Sequence, residues 1–263
     1  MPLRSISDPR VFRCFFLALA SISAACTIGC GSGSGSSSST AKTSGIATAD
    51  LDAHITVSAH EPGEVVVTAS LEHDTGLDIE PVALSGDDSF RATAPDGDTR
   101  ELARAGSSGS PRYRADFETS PAEGLVDVRF RGSDSTVRLR PEFTVTSPTR
   151  GEVFGFQDDL NFEWTPAEPG HVMRIWIRRS CRTTTGGTRG GSFFLQVPDT
   201  GDYAYDLGLL PEATDPAVDP SQDCSLEVEL VREASAVIAP PFSVGSEMQS
   251  TQTRSVENLT ITF

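Results

Sequence analysis

Between Pro169 and Pro198 the chain carries five arginines, at 174, 178, 179, 182 and 189, and no carboxylate, although over all 263 residues 37 Asp and Glu outweigh 21 Lys and Arg for a formal charge of -16. Within that stretch VMRIWIRR alternates, so an extended chain puts Met173, Ile175 and Ile177 on one face and Arg174, Trp176 and Arg178 on the other, with Arg182 further along. Guanidinium groups fork onto phosphate or carboxylate, and an indole stacks on a sugar or a cation. The row therefore suits an anionic glycan or a lipid headgroup. A structural reading competes with it and takes precedence. If SLEVELV (225–231) is the neighbouring strand, Glu227 and Glu229 point the same way and pair with the arginines, leaving Trp176 between guanidinium groups.

Other residues with chemical potential do not converge. His54, His60, His73 and His171 lack metal-ligand spacing and sit beside polar or turn residues. Asp87, Asp88, Asp96 and Asp98 in one half, and Asp215, Asp219 and Asp223 in the other, are hard oxygen ligands. Their spacing is not that of a helical calcium loop, and aspartate suits turns because it bonds the local backbone. No G-x-S-x-G, H-E-x-x-H or C-x-x-C occurs, and SSSSTAKT lacks the glycines of a phosphate loop. Phe193, Phe194, Tyr203 and Tyr205 suit core packing, with a sugar platform as the alternative. The expectation is a non-catalytic protein with no metal and no cofactor. A hydrolase with dispersed residues would need a deep pocket around a perturbed titratable group. The acidic balance opposes nucleic acid.

The elements that must position these residues are strands. From Ile46 onward the period is two: Ala53, Ile55, Val57 and Ala59 alternate with His54, Thr56 and Ser58, and Val65, Val67, Ala69 and Leu71 with Val66, Thr68 and Ser70. Further runs at 79–84, 89–94, 99–104, 112–118, 124–131 and 136–140 are divided by turn clusters such as Glu-Pro-Gly at 61–63 and Pro-Asp-Gly-Asp at 95–98. After Pro141 a second set begins at Phe143, with strands expected at 160–164, 172–179, 193–197, 203–207, 225–231 and 258–263. The fold class predicted is all-β: two tandem β-sandwiches over 46–141 and 142–263, held in a restricted arrangement because few residues separate them.

Arg4, Arg10 and Arg13 precede an apolar run from Phe15 to Ala20 and small residues to Ala25, a secretory pattern too short to span a membrane. This start resembles the bacterial lipoprotein signal, in which a cysteine receives lipid and becomes the first mature residue. Ser-Ala-Ala-Cys26 and Thr-Ile-Gly-Cys30 compete for that role, and both lack the family's leucine three residues upstream. Cleavage before Cys30 leaves one lipid site and one cysteine pair, so Cys30 is favoured, with Cys26 the alternative. The resemblance implies a signal peptide over 1–29, a flexible Gly/Ser tether over 30–45 and a membrane anchor. It implies the outer membrane where two are present, because no aspartate follows either cysteine.

The second half resembles a fibronectin type III or immunoglobulin-like domain through FTVTSPTRGEVF, LNFEW, VMRIWIRR and YAYDLGLLP. Residues 84–263 also look like a recurring two-domain bacterial lipoprotein type, through LSGDDSFRAT, DTGDYAYDLGLLP and TQTRSVENLTITF. That resemblance implies an architecture and no activity. In such a domain the third and sixth strands are antiparallel neighbours, which would bring Cys181 beside Cys224 for a disulfide. EATDPAVDPSQD at 212–223 departs from the pattern as an insertion. The function expected is an anchored envelope protein presenting its sandwiches to an envelope protein or for envelope structure. An anionic-glycan or headgroup binder is the alternative.

Overall fold

The computed structural model describes residues 40–60, 62–119, 123–236 and 238–263. Its first strands are β1 (Ala41–Lys42), β2 (Asp52–Ala59), β3 (Glu64–Asp74), β4 (Ile79–Ala83), β5 (Phe90–Thr93), β6 (Thr99–Glu101), β7 (Ala103–Arg104), β8 (Tyr113–Glu118), β9 (Gly124–Phe130) and β10 (Ser133–Leu139). Then come β11 (Thr144–Ser147), β12 (Val153–Gly155), β13 (Asp159–Thr165), β14 (Val172–Arg182), β15 (Thr188–Pro198), β16 (Asp202–Asp206), β17 (Cys224–Ala236) and β18 (Glu247–Thr262). Three short 3-10 turns are the only helical elements among the described residues, and no helix there is long and apolar enough to cross a membrane. The chain is all-β.

Alternation makes the strands and then the layers. In β2 and β3 every second side chain, Ala53 to Ala59 and Val65 to Leu71, is buried, while the intervening polar ones are half-exposed. These strands, with β4 and β8, face a four-stranded sheet of order β10-β9-β5-β6. Between the two lies one core, in which Phe90 meets Phe130 at 4.8 Å and Phe117, Val128 and Leu139 fill the remainder. A second core lies between the β11-β13-β16 sheet and the run β18-β17-β14-β15, where Leu160, Phe162 and Trp164 meet Met173, Ile175, Ile177, Val228 and Leu230. This second body has the layering of an immunoglobulin-like sandwich.

The division expected near residue 141 is crossed by the last hairpin. β18 pairs with β17 antiparallel from Met248 to Ile261, with β2 in parallel over Glu247–Gln252, and with β12 in parallel over Thr260–Thr262. One eleven-stranded sheet thus runs through both bodies, and Ile238 and Met248 belong to the first core. Where the hairpin passes between the cores, its inward side chains are polar and bind the connecting segment. Ser250 Oγ donates to the Arg138 carbonyl at 2.9 Å, Gln252 Nε2 to Arg140 at 2.6 Å, and Arg254 Nε to Phe143 at 3.1 Å.

Arg232 anchors this junction. Its Nη1 donates to the Pro141 carbonyl at 2.9 Å, its Nη2 to Pro166 at 2.7 Å, and its Nε to Asp199 Oδ2 at 2.7 Å. Asp199 also accepts from Trp164 Nε1 at 2.7 Å, and the guanidinium lies 4.8 Å from the centre of the Phe143 ring. Both charged side chains are wholly inaccessible. A buried charge is tolerated when its partners are this complete.

Of the segment expected to be a tether, 30–45, residues 30–39 lie outside the described residues, and 41–43 are held against the first sandwich. Ala41–Lys42 pairs with Val82 and Ala83, and Thr43 is fully buried, with its hydroxyl 3.1 Å from Ser85 Oγ. These residues are held because a neighbouring strand takes their backbone groups and Arg131 clamps the next turn of chain. Arg131 donates to the carbonyls of Thr43 and Ile46, at 2.8 Å each, and grips Asp88 at 2.6 and 2.8 Å. Cys26, Cys30 and the signal segment lie outside the described residues.

The Arg131 guanidinium holds the Asp88 carboxyl below the usual carboxylate range, with burial opposing it. A depressed folded-state pKa means that this contribution is fully present above the unfolded value, about 3.9, and is lost as pH falls through the folded one. Asp88→Asn should therefore melt lower than the parent at pH 7. The gap in melting temperature should close on acidification below about pH 3.9. An equal gap at every pH would contradict the assignment.

Candidate interaction surface

β14 lies between β15 and β17, and its alternation places Met173, Ile175 and Ile177 in the core with Arg174, Trp176 and Arg178 outward. Glu229 stands opposite Trp176, and Glu227 opposite Arg178. The expected pairing is present for Arg178, which reaches Glu227 at 3.2 Å and Glu229 at 3.3 Å. Arg174 instead pairs with Glu233 at 2.9 Å, two residues past the strand end expected from sequence. Trp176 does not lie between guanidinium groups. The hairpin register sets Phe194 opposite it, the two rings are 5.0 Å apart, and Arg174 lies 5.4 Å from the centre of the Phe194 ring. Counting back from the Thr-Gly-Gly turn at 185–187 would have found this neighbour.

The insertion supplies the carboxylates that residues 169–198 lack. Glu212 is buried and accepts from Arg179 Nε at 2.5 Å, and Asp215 accepts from Arg189 Nε at 2.9 Å. Arg179 also stands over the Phe193 ring, which packs on Tyr205 at 5.5 Å, and burial pushes the Tyr205 hydroxyl up from its ordinary pKa. The insertion docks on the β14–β15 turn through Thr184 N to the Ala217 carbonyl and Asp219 N to the Arg182 carbonyl. Arg182 itself is exposed at the end of the row. Cys181 and Cys224 are joined in a disulfide between β14 and β17, one step beyond the Ser180–Ser225 pair.

The remaining sequence candidates are dispersed. Asp96, Asp215 and Asp219 each accept from a backbone N–H two residues on, the turn role of aspartate. His54 lies between Glu72 and Glu247, and His171 beside Arg140. Among the described residues no group of three or more His, Cys, Asp and Glu could hold a metal ion, and no Ser, Thr or Cys side chain hydrogen-bonds a histidine. A polar groove of about 550 Å³ runs past His60, Val145, Arg150, Thr253, Ser255 and Glu257.

What this face offers is a half-exposed aromatic pair among charges that, Arg182 apart, already satisfy one another. Exposed pairs of this kind contribute little, so Arg178→Ala should change unfolding free energy by about 0–1 kcal/mol. Retention on a polyanionic resin should be equally weak for parent and variant. Strong parental retention abolished by Arg178→Glu would instead make the row an anion site.

No protein-family model and no curated protein matches the chain. Solved structures with some likeness include a chain of a cytokine receptor complex, 14% identical, covering 74% of this chain and 97% of that one, with a TM-score of 0.26. The I9-I11 tandem of titin is 13% identical over 78% of this chain and 64% of its own, at 0.22. The two tandem V-type regions of a v-region-containing chitin binding protein are 12% identical over 78% and 98%, at 0.19. Superpositions this loose fix neither function nor partner. The all-β sandwich assignment rests on the strands and cores described above.

Proposed function

We propose that the chain is a non-catalytic lipoprotein of the bacterial cell envelope, acylated at Cys30 or alternatively Cys26, which holds two coupled β-sandwiches near a membrane for interaction with another envelope component. The observation that carries the scaffold part is the junction. Arg232, Gln252, Ser250 and Arg254 bind the connecting segment, and one sheet is common to both bodies, so the two present their surfaces in a fixed relation. Export is supported by the charged, apolar and small-residue start and by the Cys181–Cys224 disulfide, which suits an oxidising compartment. Confinement at a membrane raises the effective concentration of a partner held on the same surface. Labelling of growing cells with an alkyne analogue of palmitate tests the anchor: the label should enter the parent and Cys26→Ser and be lost from Cys30→Ser. Label persisting when both cysteines are replaced would overturn it.

A further inference from the structure

Every open sheet ends in strands whose outward N–H and C=O groups invite another strand, and stable proteins blunt them. Most edges here are blunted. β1 and β7 have two residues each and β6 three. β10 is overlaid by the β17–β18 hairpin, through Ser250 to Arg138, Ala239 N to Ser135, and Ser133 to Pro240. β8 alternates Arg114, Asp116 and Glu118, and Arg100 occupies its Asp116 carbonyl at 2.6 Å. β11 has four residues, and β16 has five with an aspartate at each end.

β15 differs. It is 11 residues long, pairs with β14 along one side, and among the described residues no other segment bonds the backbone of its outer side between Arg189 and Val197. Its one charge is Arg189, and its one proline is the last residue. On the outer face Gly190, Ser192, Phe194 and Gln196 follow one another, and Phe194 is 51% exposed against Trp176.

We propose that β15 is a homodimer interface, in which two copies of this chain pair antiparallel, edge to edge, about a two-fold axis at Phe194. This deepens the scaffold reading above by naming a second copy as the partner. Residues directly opposite in an antiparallel ladder share a face, so an axis that keeps both outer faces continuous falls on a residue and not between two. At Phe194 that axis sets the ring against its own copy, Ser192 against Gln196, and Gly190 against Pro198. Each copy's Trp176 then flanks the aromatic pair. Charge argues for a second copy over a charged peptide. A chain of formal charge -16 repels itself over most of its surface, whereas Arg174, Arg178 and Arg189 are matched within each copy by Glu233, by Glu227 with Glu229, and by Asp215. Among the described residues an acidic peptide finds one unmatched arginine on this face, Arg182 opposite Thr188 at the end of the strand, and none beside Phe194.

The test uses the full chain released in mild detergent. Native mass spectrometry should give twice the chain mass for the parent and a single chain for Phe194→Lys, which sets two ammonium groups face to face and weakens association by about tenfold or more. Unchanged circular dichroism of that variant below its melting range shows that the fold is intact, and its melting temperature, unlike the parent's, should not depend on protein concentration. Phe194→Cys should oxidise to a covalent dimer, whereas the parent and Leu77→Cys, at an exposed turn far along the sheet, should not. A parent of single-chain mass at every concentration, a dimer that survives Phe194→Lys, or equal crosslinking at Leu77 would each overturn the proposal. Palmitate labelling does not depend on mass, so failure of the dimer and failure of the anchor are separable.

Discussion

Replacing Arg232 with methionine should lower unfolding free energy by about 3–5 kcal/mol, the range for breaking a buried ion pair from one side. The variant leaves the Asp199 carboxylate in a wholly inaccessible site with Trp164 Nε1 as its remaining side-chain donor, and it strips a donor from the carbonyls of Pro141 and Pro166. A domain of this size loses roughly 2–4 °C of melting temperature per kcal/mol, so the shift should be about 10 °C. Arg232→Met combined with Asp199→Leu should recover part of the loss, because removing both charges eliminates the orphaned carboxylate although the two carbonyls stay unpaired. Chemical denaturation of Arg232→Met, Asp199→Leu and the double variant measures this. A double variant as damaged as the sum of the singles would show that the pair is not the unit that matters.

Removing the Cys181–Cys224 bridge is the second large effect. The bridge closes 43 residues, and in the loop-entropy account replacing both cysteines with alanine costs about 4 kcal/mol, chiefly by freeing the unfolded chain. Both sulfurs are buried between β14 and β17, so the paired replacement loses little packing. The parent treated with reductant should unfold at the same denaturant concentration as the double variant. A change below about 1 kcal/mol would mean that the unfolded chain is already constrained here.

Much of this architecture is legible in the residues, and the gaps have physical causes. β2, β3, β13 and β14 announce themselves because each buries one face against a single core, which gives strict alternation. For β17 the alternation predicts an end at Val231. The strand continues to Ala236, but Leu230, Val231 and Arg232 are all buried where it leaves one core for the other, and there the period fails. For β18 the pattern predicts a strand only from 258, because EMQSTQTRSVE carries Ser250, Gln252 and Arg254 at inward positions. Those side chains face backbone carbonyls of the connecting segment, so a polar run is what this stretch requires. The arginine row and its glutamates are legible from strand parity. The Arg174–Glu233 pair is not, since it depends on the extension of β17 beyond Val231.

The parallel seam between β2 and β18 joins residues almost two hundred positions apart in the chain. A polypeptide delivered from its amino end therefore cannot complete its first sandwich when Leu139 appears, because the pieces that close that core, Ile238 and Met248, arrive last. Until then β2 has a bare flank, and a holding factor or a late collapse must bridge the interval. Translation or translocation arrested near residue 230 should leave the leading half open to protease. Release of the finished chain should seal it.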